Sequence, residues 1–220
     1  MFDQLFDDPV NYLINIAILA VPFLYGIILH ELAHGWVALK LGDPTALRAG
    51  RLTLNPLKHL DPLGTVVFFI AHIGWAKPVP VNPRYFHDPR KGMIWVSLAG
   101  PMANFAQAVF FAALYHALVS FRLPAADWPR IAMAIVRDIA LYGVFINLIL
   151  GCFNLIPIPP MDGSNILAGL LPPRLARPYL SLARYGMMLV ILLAVFGLLG
   201  KILFPLTRLG LQLLGMPALI

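Results

Sequence analysis

Residues 10–41, VNYLINIAILAVPFLYGIILHELAHGWVALKL, decide the architecture of this chain. A helix over this stretch is roughly 48 Å long at 1.5 Å per residue, more than the ~30 Å hydrocarbon layer of a bilayer requires. Pro22 predicts a kink within it, and Gly42-Asp43-Pro44 predicts its end, since glycine suits a helix C-cap and proline cannot continue the hydrogen-bond ladder. The same apolar run holds His30, Glu31 and His34, and Glu31 is the only glutamate in the sequence. Ionisable groups are expensive in a membrane helix and mark functional positions by default.

Composition supports a membrane setting. Of 220 residues, 60% are hydrophobic and 12% charged, which argues against a soluble domain. The net charge of +6 comes from Lys and Arg flanking apolar segments, not from basic tracts interleaved with aromatics, so these residues read as topology signals and not as a nucleic-acid surface. Cys152 is the single cysteine, and an internal disulfide framework is excluded. The acidic start, MFDQLFDD, lacks the basic opening and small-residue cleavage site of a signal peptide, so the first apolar segment is expected to be retained.

Beyond this helix, residues 92–121, 139–158 and 185–204 are each long enough to cross, while residues 63–75 are too short for a comfortable span and read as re-entrant or interfacial. Lys77-Pro78-Val79-Pro80-Val81-Asn82-Pro83 alternates proline with other residues and favours extended backbone, predicting short strands near residues 75–83. The tail, 207–220, is expected to lie along the interface. The fold class is therefore an all-α integral membrane protein with about four transmembrane helices and one partial insertion. The chain reads as a single domain over 1–220, with a catalytic core at about 10–165 and a C-terminal helix and tail at 180–220.

Charge asymmetry sets the expected orientation. Lys40, Arg48, Arg51 and Lys58 precede the short run and Lys77, Arg84, Arg90 and Lys91 follow it, so a re-entrant run keeps both basic clusters on the cytoplasmic side. Four crossings then add Arg174, Arg177 and Arg184 to that side, leaving Arg122, Arg130, Arg137, Lys201 and Arg208 opposite. Both termini face outward in this frame, and His30 and His34 fall in the cytoplasmic third of the first helix.

His30-Glu31-Leu32-Ala33-His34 carries the chemistry. Histidines at i and i+4 project from one helix face, so two imidazole nitrogens can share a tetrahedral Zn²⁺, and the adjacent carboxylate can take a proton from the attacking water. The ion acidifies that water, and the carboxylate carries the proton to the leaving amine. Random placement in this composition would yield the pattern in roughly one chain in a thousand. A third ligand is needed. The extended HExxHxxGxxH pattern fails at Val37 and Lys40, and the type that recruits a second glutamate fails because there is none. Asp127 and Asp138 lie on the wrong side, Asp43 and Asp61 sit in the loop after the first helix, and Asp162 is the best-placed carboxylate.

Asp162 follows Asn154-Leu155-Ile156-Pro157-Ile158-Pro159-Pro160-Met161, where prolines break the helix at the membrane boundary. Broken backbone at that depth is tolerated where it lines a cavity or packs against protein. With HExxH in a membrane helix, Gly100-Pro101-Met102-Ala103-Asn104, and the Asn-Leu-Ile-Pro segment ending in Asp162-Gly163, the sequence over roughly residues 25–165 resembles the site-2 protease family, the M50-type intramembrane zinc metalloproteases. Trp75-Ala76-Lys77-Pro78-Val79-Pro80-Val81 resembles its compact subgroup, so no PDZ or CBS domain is expected. The resemblance implies one zinc per chain on His30, His34 and Asp162, Glu31 as general base, and Asn154 as partner of the substrate carbonyl or oxyanion. It also implies a transmembrane protein or peptide substrate, which must unwind before its scissile bond reaches the ion. The extended 77–82 segment would then receive it by strand addition. A homo-oligomer is allowed, and a cell membrane is the expected location.

Blander roles suit other residues. Asn104 and Asn147 read as interhelical hydrogen-bonding groups, with Asn104 and Gln107 also candidates to line a water path. His59, His72 and His87 read as ordinary polar contacts, though each could be a transient ligand; His116 lies near the opposite face, and Cys152 reads as a buried thiol. Phe68, Phe69 and the tryptophans read as lipid or core contacts. The competing functional class is a non-catalytic metal-binding scaffold or metal transporter. A transporter should distribute polar ligands along a route, whereas these concentrate at one depth.

Overall fold

A computed structural model of the chain describes residues 9–61, 77–121 and 127–218. The first helix, α1 (Pro9–Lys40), runs through Pro22 and closes at Gly42, whose φ of +100° lets the Asp43 N–H return to the Ala38 carbonyl at 2.9 Å. A one-turn helix α2 (Thr45–Arg48) follows. Helix α3 (Pro89–Ser120) starts where Asp88 accepts from the Arg90 and Lys91 N–H groups and Pro89 occupies the first turn.

Helix α4 (Asp127–Asn154) begins earlier than the apolar run at 139–158 suggests. Its first three turns carry four charged residues among apolar ones, with Arg130 on Asp127 at 2.9 Å and Arg137 on Asp138 at 3.0 Å. The paired charges interrupt the apolar pattern without interrupting the helix, which therefore starts well before residue 139. After the broken stretch come α5 (Asp162–Leu170), α6 (Pro173–Ser181), α7 (Ala183–Val195) and α8 (Leu198–Leu213).

Helices α1, α3 and α4 each pack on the other two; α5 lies against α3, and α8 against α4. Ala108, Ala112, Val144, Leu148, Leu211 and Met216 form one core cluster, and Ala38, Phe86 and Val96 form another. Leu13–Lys40, Pro89–Ser120 and Asp127–Asn154 are long and apolar enough to cross a membrane, and α6 with α7, bent by 63°, meets that standard as a pair. Among the described residues that makes three candidate crossings, or four with the bent pair, against the expected number of about four. Phe110, Trp128 and Val195 are exposed on the outer surface, as helices facing hydrocarbon require.

Two expectations are corrected. The 185–204 run is not one helix: Gly197, at φ +70°, separates α7 from α8. The tail packs one face on the bundle, where Thr207, Leu211 and Met216 are buried, and exposes the other at Leu206, Leu209 and Leu213. The strands expected at 75–83 are also absent among the described residues; the run at 63–75 and positions 75–76 lie outside them.

The stretch 77–82 is fastened by single hydrogen bonds to separate groups instead of a ladder. Lys77 N–H donates to His59 O at 2.8 Å, and Arg51 donates to Lys77 O. Val79 N–H donates to Glu31 Oε2 at 2.7 Å, and Asn82 N–H to Asp43 Oδ2 at 2.6 Å. Prolines at 78 and 80 supply no donors, so a strand partner would find little to pair with.

Candidate active site

Helix periodicity puts His30 and His34 on one face of α1, their rings edge to face with centroids 4.5 Å apart. Each ring is fixed from behind. His34 Nδ1 lies 2.6 Å from the Val96 carbonyl, which can only accept, so Nδ1 carries the proton. His30 Nδ1 lies 2.6 Å from Asn104 Oδ1, and the orientation of that amide is set by its Nδ2, which donates to Gly26 O at 3.0 Å. Both Nε2 atoms therefore present lone pairs, and they face one another at 2.9 Å.

The break after α4 delivers the third group. Residues 155–161 turn the chain so that Asp162 opens α5, and Gly163 is required beside it because a Cβ there would collide with the Leu155 carbonyl. Asp162 Oδ2 lies 3.1 Å from His30 Nε2 and 3.3 Å from His34 Nε2. It is buried with no hydrogen-bond partner, as expected when both nearby nitrogens carry no proton.

Three lone-pair donors at these spacings fit a bound cation. Ligand atoms about 2.0–2.2 Å from Zn²⁺ in tetrahedral geometry sit about 3.3 Å apart, close to the observed triangle. His30, His34 and Asp162 are the group of potential metal ligands found among the described residues. Gly100 of α3 faces this triangle, and a Cβ there would collide with Nε2 of both imidazoles.

A cavity of about 350 Å³ opens onto the cluster, and Glu31, Val79, Ser97, Asn154 and Asn165 also line it. Glu31 is held by the Val79 N–H, the only backbone donor in Pro78-Val79-Pro80. Asn154 Nδ2 donates back to Leu150 O at 3.0 Å, which leaves its second amide hydrogen free. Beyond the site, Asp43 is buried between α1 and the 77–82 segment. Burial raises its pKa, but hydrogen bonds from the Thr45 hydroxyl, the Asn82 N–H and the Thr45 N–H prevail and hold its carboxyl below the usual 3.8.

The profile of peptidase family M50 matches residues 125–197. The protein YwhC of Bacillus subtilis (strain 168), provisionally named a zinc metalloprotease, is 38% identical over 195 residues, covering 87% of this chain and 86% of its own. The chain belongs to peptidase family M50. This M50 member is also 30% identical over 203 residues to Rip2 of Mycolicibacterium smegmatis, again provisionally named a zinc metalloprotease, covering 90% of this chain and 74% of Rip2. Zinc metalloprotease MJ0392 of Methanocaldococcus jannaschii is 25% identical over 188 residues, which is 84% of this chain and 44% of that protein. No solved structure matches. The chain is a site-2 protease family member, a multi-pass membrane protein and a metalloprotease, and its relatives' names point to zinc.

Around one cavity this M50 member gathers His30, Glu31, His34, Asn154 and Asp162, all singled out from sequence. It keeps the other histidines away. His59 is buried with Nε2 on Thr53 O at 2.7 Å, His87 is exposed, and His116 bonds Leu214 O at 2.8 Å; His72 lies outside the described residues. Sequence reasoning missed the Val79 N–H, although prolines on both sides already marked it as a solitary donor. It missed Asn165 altogether, since an amide on a short helix carries no local signal.

Proposed function

We propose that this protein is an intramembrane endopeptidase of the HExxH type, one domain over 1–220 with its catalytic core at about 10–165, that cuts transmembrane protein substrates toward the cytoplasmic side. The observation that carries this reading is the meeting of His30 Nε2, His34 Nε2 and Asp162 Oδ2 within 2.9–3.3 Å, in the cavity that Glu31 also lines.

His30, His34 and Asp162 would hold one Zn²⁺, which when bound supplies Lewis acidity toward both a peptide carbonyl and a water. Glu31, oriented by the Val79 N–H, takes the proton of the attacking water and passes it to the leaving amine. Asn154 directs its free amide hydrogen at the oxygen on which negative charge develops. The substrate presents extended backbone, because a helix keeps its own amides paired. Strand addition along 77–82 has only the Val81 N–H and the free carbonyls to use, since the other donors there are engaged. The excess of Lys and Arg on the loops around α1 and α3 supports a site toward the cytoplasm of a cell membrane, with both termini outside.

Glu31→Gln tests the reading. In liposomes holding a single-span substrate, it should abolish cleavage while the protein keeps its zinc. Full activity would overturn the mechanism. Wild-type protein that holds zinc but cleaves no membrane peptide would favour the scaffold or transport class.

A further inference from the structure

A second cavity, of about 550 Å³, lies between the start of α3, α5 and α6. It shares Met93 and Asn165 with the candidate catalytic cavity, so a chain stretched out of the latter past these two residues enters it. Pro83, Ala168 and Leu180 give it apolar walls, while Arg90 and Arg177 line it and no carboxylate does.

The two arginines differ. Arg90 donates to the Gly169 and Leu171 carbonyls at the end of α5 and is part of the wall. Arg177 makes no ion pair or side-chain hydrogen bond among the described residues, so its guanidinium is free for an incoming anion. At the junction, the Asn165 carboxamide is likewise without a hydrogen-bond partner and can pair with the amides of an extended segment.

We propose that this groove is a substrate subsite, continuous with the catalytic cleft, that takes the extended segment flanking the scissile bond and selects an acidic side chain there through Arg177. The inference rests on the endopeptidase reading above and adds a specificity to it. The discrimination is useful at this depth. Cytoplasmic flanks of membrane segments are ordinarily rich in Lys and Arg, which a free guanidinium repels, so the groove would separate acidic-flanked substrates from the common background.

Binding to the Glu31→Gln protein separates this question from turnover. Three sets of single-span peptides, identical except for Glu, Gln or Lys scanned through the residues on each side of the cleaved bond, would be titrated in neutral-lipid vesicles. At one flank the Glu peptide should bind about tenfold more tightly than the Lys peptide. Adding Arg177→Glu should reverse that order, and the gain by the Lys peptide is a change that misfolding cannot produce. An order unchanged by Arg177→Glu would overturn the subsite, as would absence of peptide binding. So would an affinity that follows the anionic-lipid content of the vesicle instead of peptide charge, which would mark a headgroup site. If the wild type cleaves none of these peptides, the endopeptidase reading falls, while the binding order still decides the groove.

Discussion

Asn104 connects three helices to one imidazole. Its Oδ1 accepts from His30 Nδ1 at 2.6 Å, while its Nδ2 reaches Gly26 O on α1 and Asn147 Oδ1 on α4, each at 3.0 Å. Asn147 in turn donates to Gly143 O at 2.9 Å, so the chain of amides ends satisfied inside the bundle. A single carboxamide thus fixes both the tautomer of His30 and the spacing of the helices around it.

Asn104→Leu should therefore weaken zinc binding by about 10–100-fold, the range expected when the partner behind a metal-bound histidine is lost. Asn104→Asp keeps an acceptor at the same place and should recover much of that loss. Competition with a chelator measures both, and an unchanged affinity for the Leu variant would remove Asn104 from the site.

Val79→Pro deletes the one backbone donor between two prolines and frees the Glu31 carboxylate. A hydrogen bond to a charged group contributes about 1.5–3 kcal/mol, so kcat should fall about tenfold or more while zinc content holds. Val79→Ala keeps the N–H and should lose much less. Equal losses in the two variants would show that the side chain matters and the N–H does not.

Gly100→Ala pushes a methyl group at the imidazole pair. Overpacking of this kind costs about 1–3 kcal/mol, and here it acts on the triangle itself. Zinc per chain, measured by elemental analysis, should drop more than thermal stability does. A variant with full zinc content would mean that α3 can retreat without disturbing the site.

Asp43 predicts an acid limit. Its folded pKa lies below the unfolded value near 3.8, so the stability it contributes is fully present above that value and is lost as pH falls through the folded pKa. Asp43→Asn should lower the melting temperature in detergent near neutral pH, and the gap to wild type should close only below about pH 4. A gap that closes already near pH 6 would assign the effect to another group.

Several features were legible in order along the chain because their causes are local. Apolar length marks α1 and α3, glycine and proline mark the end of α1, and i, i+4 spacing puts His30 and His34 on one face. The start of α4 was not legible by apolar length, since its first turns carry Arg–Asp pairs along the helix surface. Nor was the break at Gly197, where an apolar run on both sides hides a change of backbone hand.

Residue order alone was enough for the membrane character, the pair of imidazoles with their carboxylate neighbour, and the choice of Asp162 as the acid worth testing. It took the packed fold to reveal that Asp162 Oδ2 comes to rest 3.1 Å from His30 Nε2 across a separation of more than a hundred residues, that Val79 orients Glu31, and that Asn104 and the Val96 carbonyl turn both Nε2 lone pairs inward. Spacing along a helix is set by backbone geometry that neighbouring residues share. Convergence between distant segments depends on how whole helices pack, and no local pattern encodes it.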